Sequence, residues 1–201
     1  FLDRSEDDVI GVGIVKKVPV KSDLNHYMAT HFYYLRPGEA LRLARAKVVH
    51  RVLDRVKKPH KGDRFYSIEA VAKCYGLLHF NIYSSINEAN YIETIHGLSP
   101  DVIVSSNSPI FGRELLEIPS RCCINRHSSL LPSYGGLWPV FQAVRSGEEF
   151  VGASIHTMER KIDRGILLAQ RQVRIQGYDT VGDLYEKCFA VSVDALLDAL
   201  R

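Results

Sequence analysis

The order of apolar segments in this chain predicts an α/β protein with a doubly wound, mostly parallel sheet flanked by helices. Three observations lead there. Short runs rich in β-branched and apolar residues recur at Val9 to Val15, Leu77 to Tyr83, Asp101 to Val104 and Cys122 to His127, each about as long as one strand. Between them, apolar residues return every three or four positions, as they do on one face of a helix. Glycine and proline punctuate the changes of pattern. Strands that alternate with helices pair in parallel, with the helices covering the sheet.

Taken in order, the first strand, Val9 to Val15, holds Gly11 and Gly13. Without a third glycine and a following helix, this pair is a weak dinucleotide motif, and close backbone packing explains it better. Ser22 to Val56 reads as two helices divided at Arg36, Pro37 and Gly38. The second carries an apolar stripe through Leu41, Leu43, Ala44, Val48, Val49, Val52, Leu53 and Val56. Pro59 to Asp63 is a loop. Ser67 to Gly76 predicts a short helix before the strand at Leu77, and Glu88 to His96 predicts another, ending at Gly97. Ser105 to Pro109 is a loop at a strand's carboxyl end. A helical piece at Glu114 to Leu116 stops at Pro119 before the strand Cys122 to His127. Trp138 to Ser146 reads as helix, Gly152 to Met158 and Gly165 to Ile175 as two strands, and Thr180 to Leu200 as a closing helix. On that last helix Leu184, Cys188, Val191, Ala195 and Leu196 share a stripe.

The chain has 201 residues, 46% of them hydrophobic and 24% charged, the composition of one ordinary globular domain. No run of about 18 apolar residues is present, so no membrane partner is expected. The residues after Phe1 are charged rather than arranged as a secretory leader, and Phe1 is not an initiator methionine. Cys74, Cys122, Cys123 and Cys188 lack metal-ligand spacing and read as reduced thiols of a cytoplasmic protein. The net charge of +3 is unevenly spread. Arg42 to Arg64 holds nine basic residues against Asp54 and Asp63, a net +7, which leaves −4 for the rest. A solvated helix face is the default reading of such a segment; an acidic partner is the other.

Ligands of doubly wound sheets bind at the carboxyl ends of the strands. Asn125 and His127 lie two apart at such an end, so a strand places them on one face. Ser128 to Pro132 then turns the chain away, with Gly135 and Gly136 keeping the turn uncrowded, and the loop around Asp163 should reach the same edge. Each residue alone has a plain structural role: asparagine closes turns, a lone histidine is usually a satisfied one, and Asp163, Arg164 and Gly165 make a hairpin turn. No glycine elbow surrounds Ser128 or Ser129, which argues against a serine nucleophile. The other histidines, His156 among them, lack a second ligand at metal spacing, so no metal is expected.

The stretch Asn125 to Pro132 (NRHSSLLP), followed by Ile162 to Leu167 (IDRGIL), resembles the signature of the folate-dependent formyltransferases. That family includes glycinamide ribonucleotide, methionyl-tRNA and sugar N-formyltransferases. Its pattern is Asn-x-His, then Ser-Leu-Leu-Pro, then an aspartate before a glycine and an apolar strand; here 36 residues separate His127 from Asp163. The resemblance runs from about Ser67 to Leu200. It implies a Rossmann-like single catalytic domain over residues 1–201. The sequence departs from the pattern in two places: nothing upstream of Asp8 matches the family's opening strand and helix, so either the chain is a truncated piece or its sheet edge is built differently, and a basic helical insert stands at about 22–64. The resemblance implies 10-formyltetrahydrofolate as formyl donor and Asn125, His127 and Asp163 as catalytic residues. The donor's pterin would lie against Pro109, Ile110, Phe111, Leu116, Met158 and Arg160.

The chemistry is consistent with that set. Formyl transfer to an amine by direct attack passes through a tetrahedral intermediate, whose oxyanion needs hydrogen-bond donors. Asn125 and His127 supply them, while Asp163 receives the amine's proton through water. The acceptor expected is a small amine, such as an amino sugar or a nucleotide-linked amine, ahead of aminoacyl-tRNA. Two rival readings are a 10-formyltetrahydrofolate hydrolase, with water as acceptor, and a non-catalytic module that binds folate or tRNA. The sequence does not fix an oligomeric state.

Overall fold

A computed structural model describes residues 1–16, 37–56, 60–106 and 109–201. The first expected helix, from Ser22, lies outside these residues, as do Pro59 of the expected loop and part of the loop after Ser105. The chain divides into two compact units, Val9–Ser85 and Phe1–Asp8 with Ile86–Arg201.

In the Val9–Ser85 unit, β1 (Val12–Val15) pairs in parallel with β2 (His79–Ile82), Gly13 lying beside Phe80. A Cβ on Gly13 would come within 3.0 Å of Ile82 Cδ1, so close packing does account for this glycine. Helix α1 (Pro37–Val56) forms where the periodicity places it, but most of the described members of its apolar stripe are not core residues. Leu41, Val48, Val49, Val52 and Val56 are all at least half exposed. Helix α2 (Ile68–Cys74) starts at Ser67, whose hydroxyl accepts from Ala70 N–H and so satisfies one of the amide donors a helix start leaves unpaired.

The other unit holds α3 (Ala89–Leu98), β3 (Val102–Ser105), α4 (Arg113–Leu116), β4 (Cys122–His127) and α5 (Pro139–Arg145). It continues with β5 (Phe150–Thr157), β6 (Leu167–Arg174) and α6 (Val181–Leu200). Its sheet has the order β3-β4-β5-β6, parallel between β3 and β4 and antiparallel at the two other pairs. A parallel return needs a crossover of about a dozen residues or more. Residues 158–166, between β5 and β6, are too few, and the pair forms a hairpin.

The two faces of this sheet differ in kind. On one, Ile124 and Ile155 are buried with Ala195 of α6, flanked by Val102, Ala169 and Leu196. Beside them Val151, Leu184 and Cys188 pack with Val140 and Ala143 of α5. Helix α6 is fixed at its start by a capping box in which Thr180 and Asp183 satisfy each other's backbone N–H. On the opposite face, strand alternation puts Asn125, His127, Ser154 and His156.

All four cysteines are free; Cys123 and Cys188 are buried. Burial pushes their thiols up to about 12 and about 11 respectively, so both stay protonated and unreactive at neutral pH. Among the described residues, no helix is long and apolar enough to cross a membrane.

Two glycines separate close approach from mere helix flexibility. A Cβ on Gly165 would fall 1.8 Å from the Thr157 carbonyl oxygen, whereas one on Gly97, inside α3, meets nothing within 4 Å. Gly165→Ala is therefore expected to lower the unfolding free energy by about 3 kcal/mol. Gly97→Ala should raise it by about 0.5 kcal/mol, because alanine loses less backbone freedom on folding. Urea titration of both variants checks the pair; equal effects would contradict the packing described for Gly165.

Candidate active site

The site is built by strand register. β3 and β4 run side by side until Ser105 meets Asn125. On the other flank, β5 runs back along β4 with His156 opposite Asn125 and Ser154 opposite His127. Directly opposed residues on paired strands point the same way, so this pairing brings His156 to Asn125. The hairpin loop after β5 then carries Asp163 back over the same face. Asp163 adopts a left-handed backbone with φ of 52°, a conformation aspartate tolerates better than most side chains.

The result is a chain of polar contacts. Asn125 Nδ2 lies 3.3 Å from His156 Nε2. His156 Nε2 lies 3.5 Å from Asp163 Oδ1, and His127 Nδ1 lies 3.7 Å from Asp163 Oδ2. The backbone N–H of Gly136 donates to Asp163 Oδ2 at 2.7 Å, tying the turn after Pro132 to the same carboxylate. The His156 side chain is 2% exposed, Asp163 8% and His127 10%, so these groups interact largely out of water.

The hydrogen-bond partners fix the ring protons. A carbonyl only accepts, so His156 Nδ1, 2.8 Å from Thr157 O, carries a hydrogen, and so does His127 Nε2, 3.0 Å from Tyr134 O. His127 therefore turns its Nδ1 toward Asp163. The amide of Asn125 has the same shape either way round, and its orientation is decided by its neighbours. With Nδ2 on His156, the Nε2 lone pair faces the Asp163 carboxylate and Asn125 Oδ1 is buried with no partner. With the amide turned over and hydrogens on both ring nitrogens, as in an imidazolium facing the Asp163 carboxylate, His156 Nε2–H donates to both Asn125 Oδ1 and Asp163, and the amide NH2 becomes the free donor. The second arrangement removes an acceptor facing an acceptor and is the better one.

Burial by itself would push the Asp163 carboxyl up. The hydrogen bonds from His156 and Gly136 N–H, with the attraction of both imidazoles, outweigh it and hold the group below its ordinary value of 3.8. Beneath it, Ser154 Oγ donates to Ser129 O and accepts from Leu131 N–H and from Gln170 Nε2. These bonds fasten the turn from Ser129 to Pro132 onto β5 and β6.

The expected cleft residues are less closely grouped. Leu116 and Arg160 line one cleft of about 610 Å³ together with Arg113, Glu117, Glu159 and Lys161. Pro109, Ile110, Phe111 and Met158 do not line it. Phe111 is a core residue, 9% exposed, and Ile110 is 56% exposed. Met158 uses its N–H on Cys123 O, extending the strand pairing. Asn87 holds the Ile110 to Gly112 segment by donating to Ile110 O and accepting from Gly112 N–H. Neither Asn87 nor His156 is picked out as a site residue by sequence reasoning. His156 had one clue: with Ser154 it makes a polar alternation in a strand otherwise apolar.

The sequence profile of the family described as Formyl transferase matches residues 42–200. The chain belongs to this family. A methionyl-tRNA formyltransferase from Alkaliphilus metalliredigens is 34% identical over 151 residues, covering 74% of this chain and 47% of the relative. The chain thus spans between 35% and 48% of the length of curated relatives that it matches. Among solved structures, glycinamide ribonucleotide transformylase 1 from Geobacillus kaustophilus aligns over 95% of both chains, with a TM-score of 0.60 and 20% identity. A sugar N-formyltransferase from a Shewanella species aligns over 94% of this chain and 67% of that one, with a TM-score of 0.54 and 21% identity. These likenesses show the Rossmann-like fold expected of the sequence.

The lowered Asp163 pKa sets a pH dependence. The carboxylate interactions are fully present above the ordinary value of 3.8 and are lost as pH falls through the lower folded value. Unfolding free energies of wild type and Asp163→Asn, measured from pH 7 down to 3, should therefore converge at the acid end. A gap that stays constant across this range would contradict the contacts described.

Proposed function

We propose that this chain is the catalytic part of an N-formyltransferase that moves a formyl group from 10-formyltetrahydrofolate to an amine. The observation that carries the reading is the meeting of signature residues around one carboxylate. Asp163 faces His127 and His156, and His156 is joined to Asn125. The donor is the one the family uses. The cleft beside Leu116 and Arg160, adjoining the loop that leads to Asp163, is of a size for a pterin ring.

The geometry supports the following roles. With its amide turned so that Oδ1 accepts from His156, Asn125 offers NH2 to the formyl oxygen, where negative charge grows as the amine attacks. His156, fixed by Thr157 O and paired with Asp163, holds that amide in place. His127 is fixed by Tyr134 O, and its Nδ1 faces the carboxylate. Asp163, kept ionised, takes the proton shed by the attacking amine through a water, and that proton is passed on to N10 of the donor as its bond to the formyl carbon breaks and tetrahydrofolate leaves. No covalent enzyme intermediate is needed.

Asp163→Asn and His127→Ala should each lower turnover on the order of 100-fold while the protein stays folded, since the first removes the group that takes the amine's proton and the second the ring that faces that carboxylate. His156→Ala should do the same indirectly, by releasing Asn125. Near wild-type kcat in folded Asp163→Asn would sink the assignment.

The names of the similar proteins direct the choice of acceptors. A screen in the full-length protein should hold an aminoacyl-tRNA beside small amines, amino sugars and nucleotide-linked amines among them. We expect formylated product only when an acceptor is present. Formate released at the same rate from donor alone would identify a hydrolase, and donor binding without either product a non-catalytic module.

A further inference from the structure

Between Asn125 and His127 stands Arg126, the position the family pattern leaves open. Strand alternation turns it to the other face of the sheet, where its guanidinium lies 4.2 Å from the centroid of the Phe189 ring on α6. Nε donates to Ser106 Oγ at 2.8 Å and Nη2 to the Ser106 carbonyl at 3.3 Å. Nη1 donates to Ser128 Oγ at 3.1 Å. Among the described residues no carboxylate pairs with it, and burial lowers its pKa from the ordinary 12.5.

A half-buried cation met only by neutral oxygens and a ring face is a poor way to stabilise a fold. An apolar side chain of similar length would pack on Phe189 without the desolvation cost. What the guanidinium does that an apolar group cannot is join two strand ends. The parallel pairing of β3 with β4 stops at Ser105 and Asn125. Ser106 is the first residue past that ladder, and the chain leaving it runs on to Arg113 and Leu116 of the cleft. Ser128 directly follows His127. One planar, forked group thus holds both the backbone and side chain of Ser106 on one side and Ser128 on the other, a geometry that lysine's single ammonium does not reproduce.

We propose that Arg126 is a positioning residue that sets the spacing between the segment entering the donor cleft and the strand end carrying Asn125 and His127. This rests on reading that edge as the formyl-transfer site. The prediction concerns donor binding more than stability, because Arg126 ties the segment that precedes Arg113 and Leu116 of the cleft to the strand end carrying Asn125 and His127, and a shift of an ångström between donor and reacting groups costs heavily.

The test uses full-length protein and Arg126→Met, which keeps the packing on Phe189 and removes the three donors. Calorimetric Kd for tetrahydrofolate and KM for 10-formyltetrahydrofolate should both rise on the order of tenfold, with the amine KM and melting temperature held. Ser106→Ala should reproduce part of the rise, and Arg126→Lys should fall between wild type and Arg126→Met. An unchanged tetrahydrofolate Kd in folded Arg126→Met overturns the proposal. So does a loss shared equally by both substrates with a lowered melting temperature, the mark of a purely structural role. Tetrahydrofolate binding requires no turnover. A wild type that binds it without transferring formyl, and loses that binding in Arg126→Met, removes the functional reading and supports this one; a wild type that binds none removes both.

Discussion

The Asp163 carboxylate, 8% exposed, takes a backbone hydrogen bond from Gly136 and faces two imidazole rings. A charge so far out of water is tolerable only when it is paired and hydrogen-bonded. Meeting that condition determines much of the architecture around it. The turn after Pro132 must come close enough for Gly136 N–H to reach, and the hairpin loop must fold back over β5. Gly165 permits the second, since any side chain there would collide with the Thr157 carbonyl. His127 and His156 arrive from neighbouring strands, each oriented by a main-chain carbonyl.

The same constraint separates the two faces of the sheet. The face under α6 is filled by Ile124, Ile155 and Ala195 and supplies ordinary hydrophobic stabilisation. The opposite face carries buried polar groups that would be destabilising one by one. They are satisfied as a network: Ser154 with Ser129, Leu131 and Gln170, and His156 with Thr157, Asn125 and Asp163. Such a network fixes positions more sharply than an apolar contact does, because each hydrogen bond has a narrow range of length and direction. That rigidity is what the proposed oxyanion site would need. Arg126 extends the principle across the sheet, continuing the connection of β3 to β4 where the ladder itself has ended.

Much of the unit from Ile86 onward was legible in the sequence. The strand Cys122–His127 and the helix Val181–Leu200 have the boundaries that periodicity and the Thr180 cap indicate. The strands β5 and β6 were legible too, though their antiparallel pairing came only with the structure. Helix α1 teaches the opposite lesson. Its periodicity correctly gives a helix, yet Leu41, Val48 and Val52 are exposed. Periodicity reports which residues share a face; it does not report what, if anything, covers that face.

The sequence by itself determined the residue types of the site and two of its spacings. Asn125 and His127 share a face because strands repeat every two residues, and Asp163 lies in a loop because glycine and a following strand bound it. Only the tertiary structure decided that His156 joins them. Its place opposite Asn125 depends on the register of two strands whose facing residues lie 31 positions apart in the chain. Register is set by the pairing of whole strands and the packing of their faces, and no local pattern around His156 encodes it.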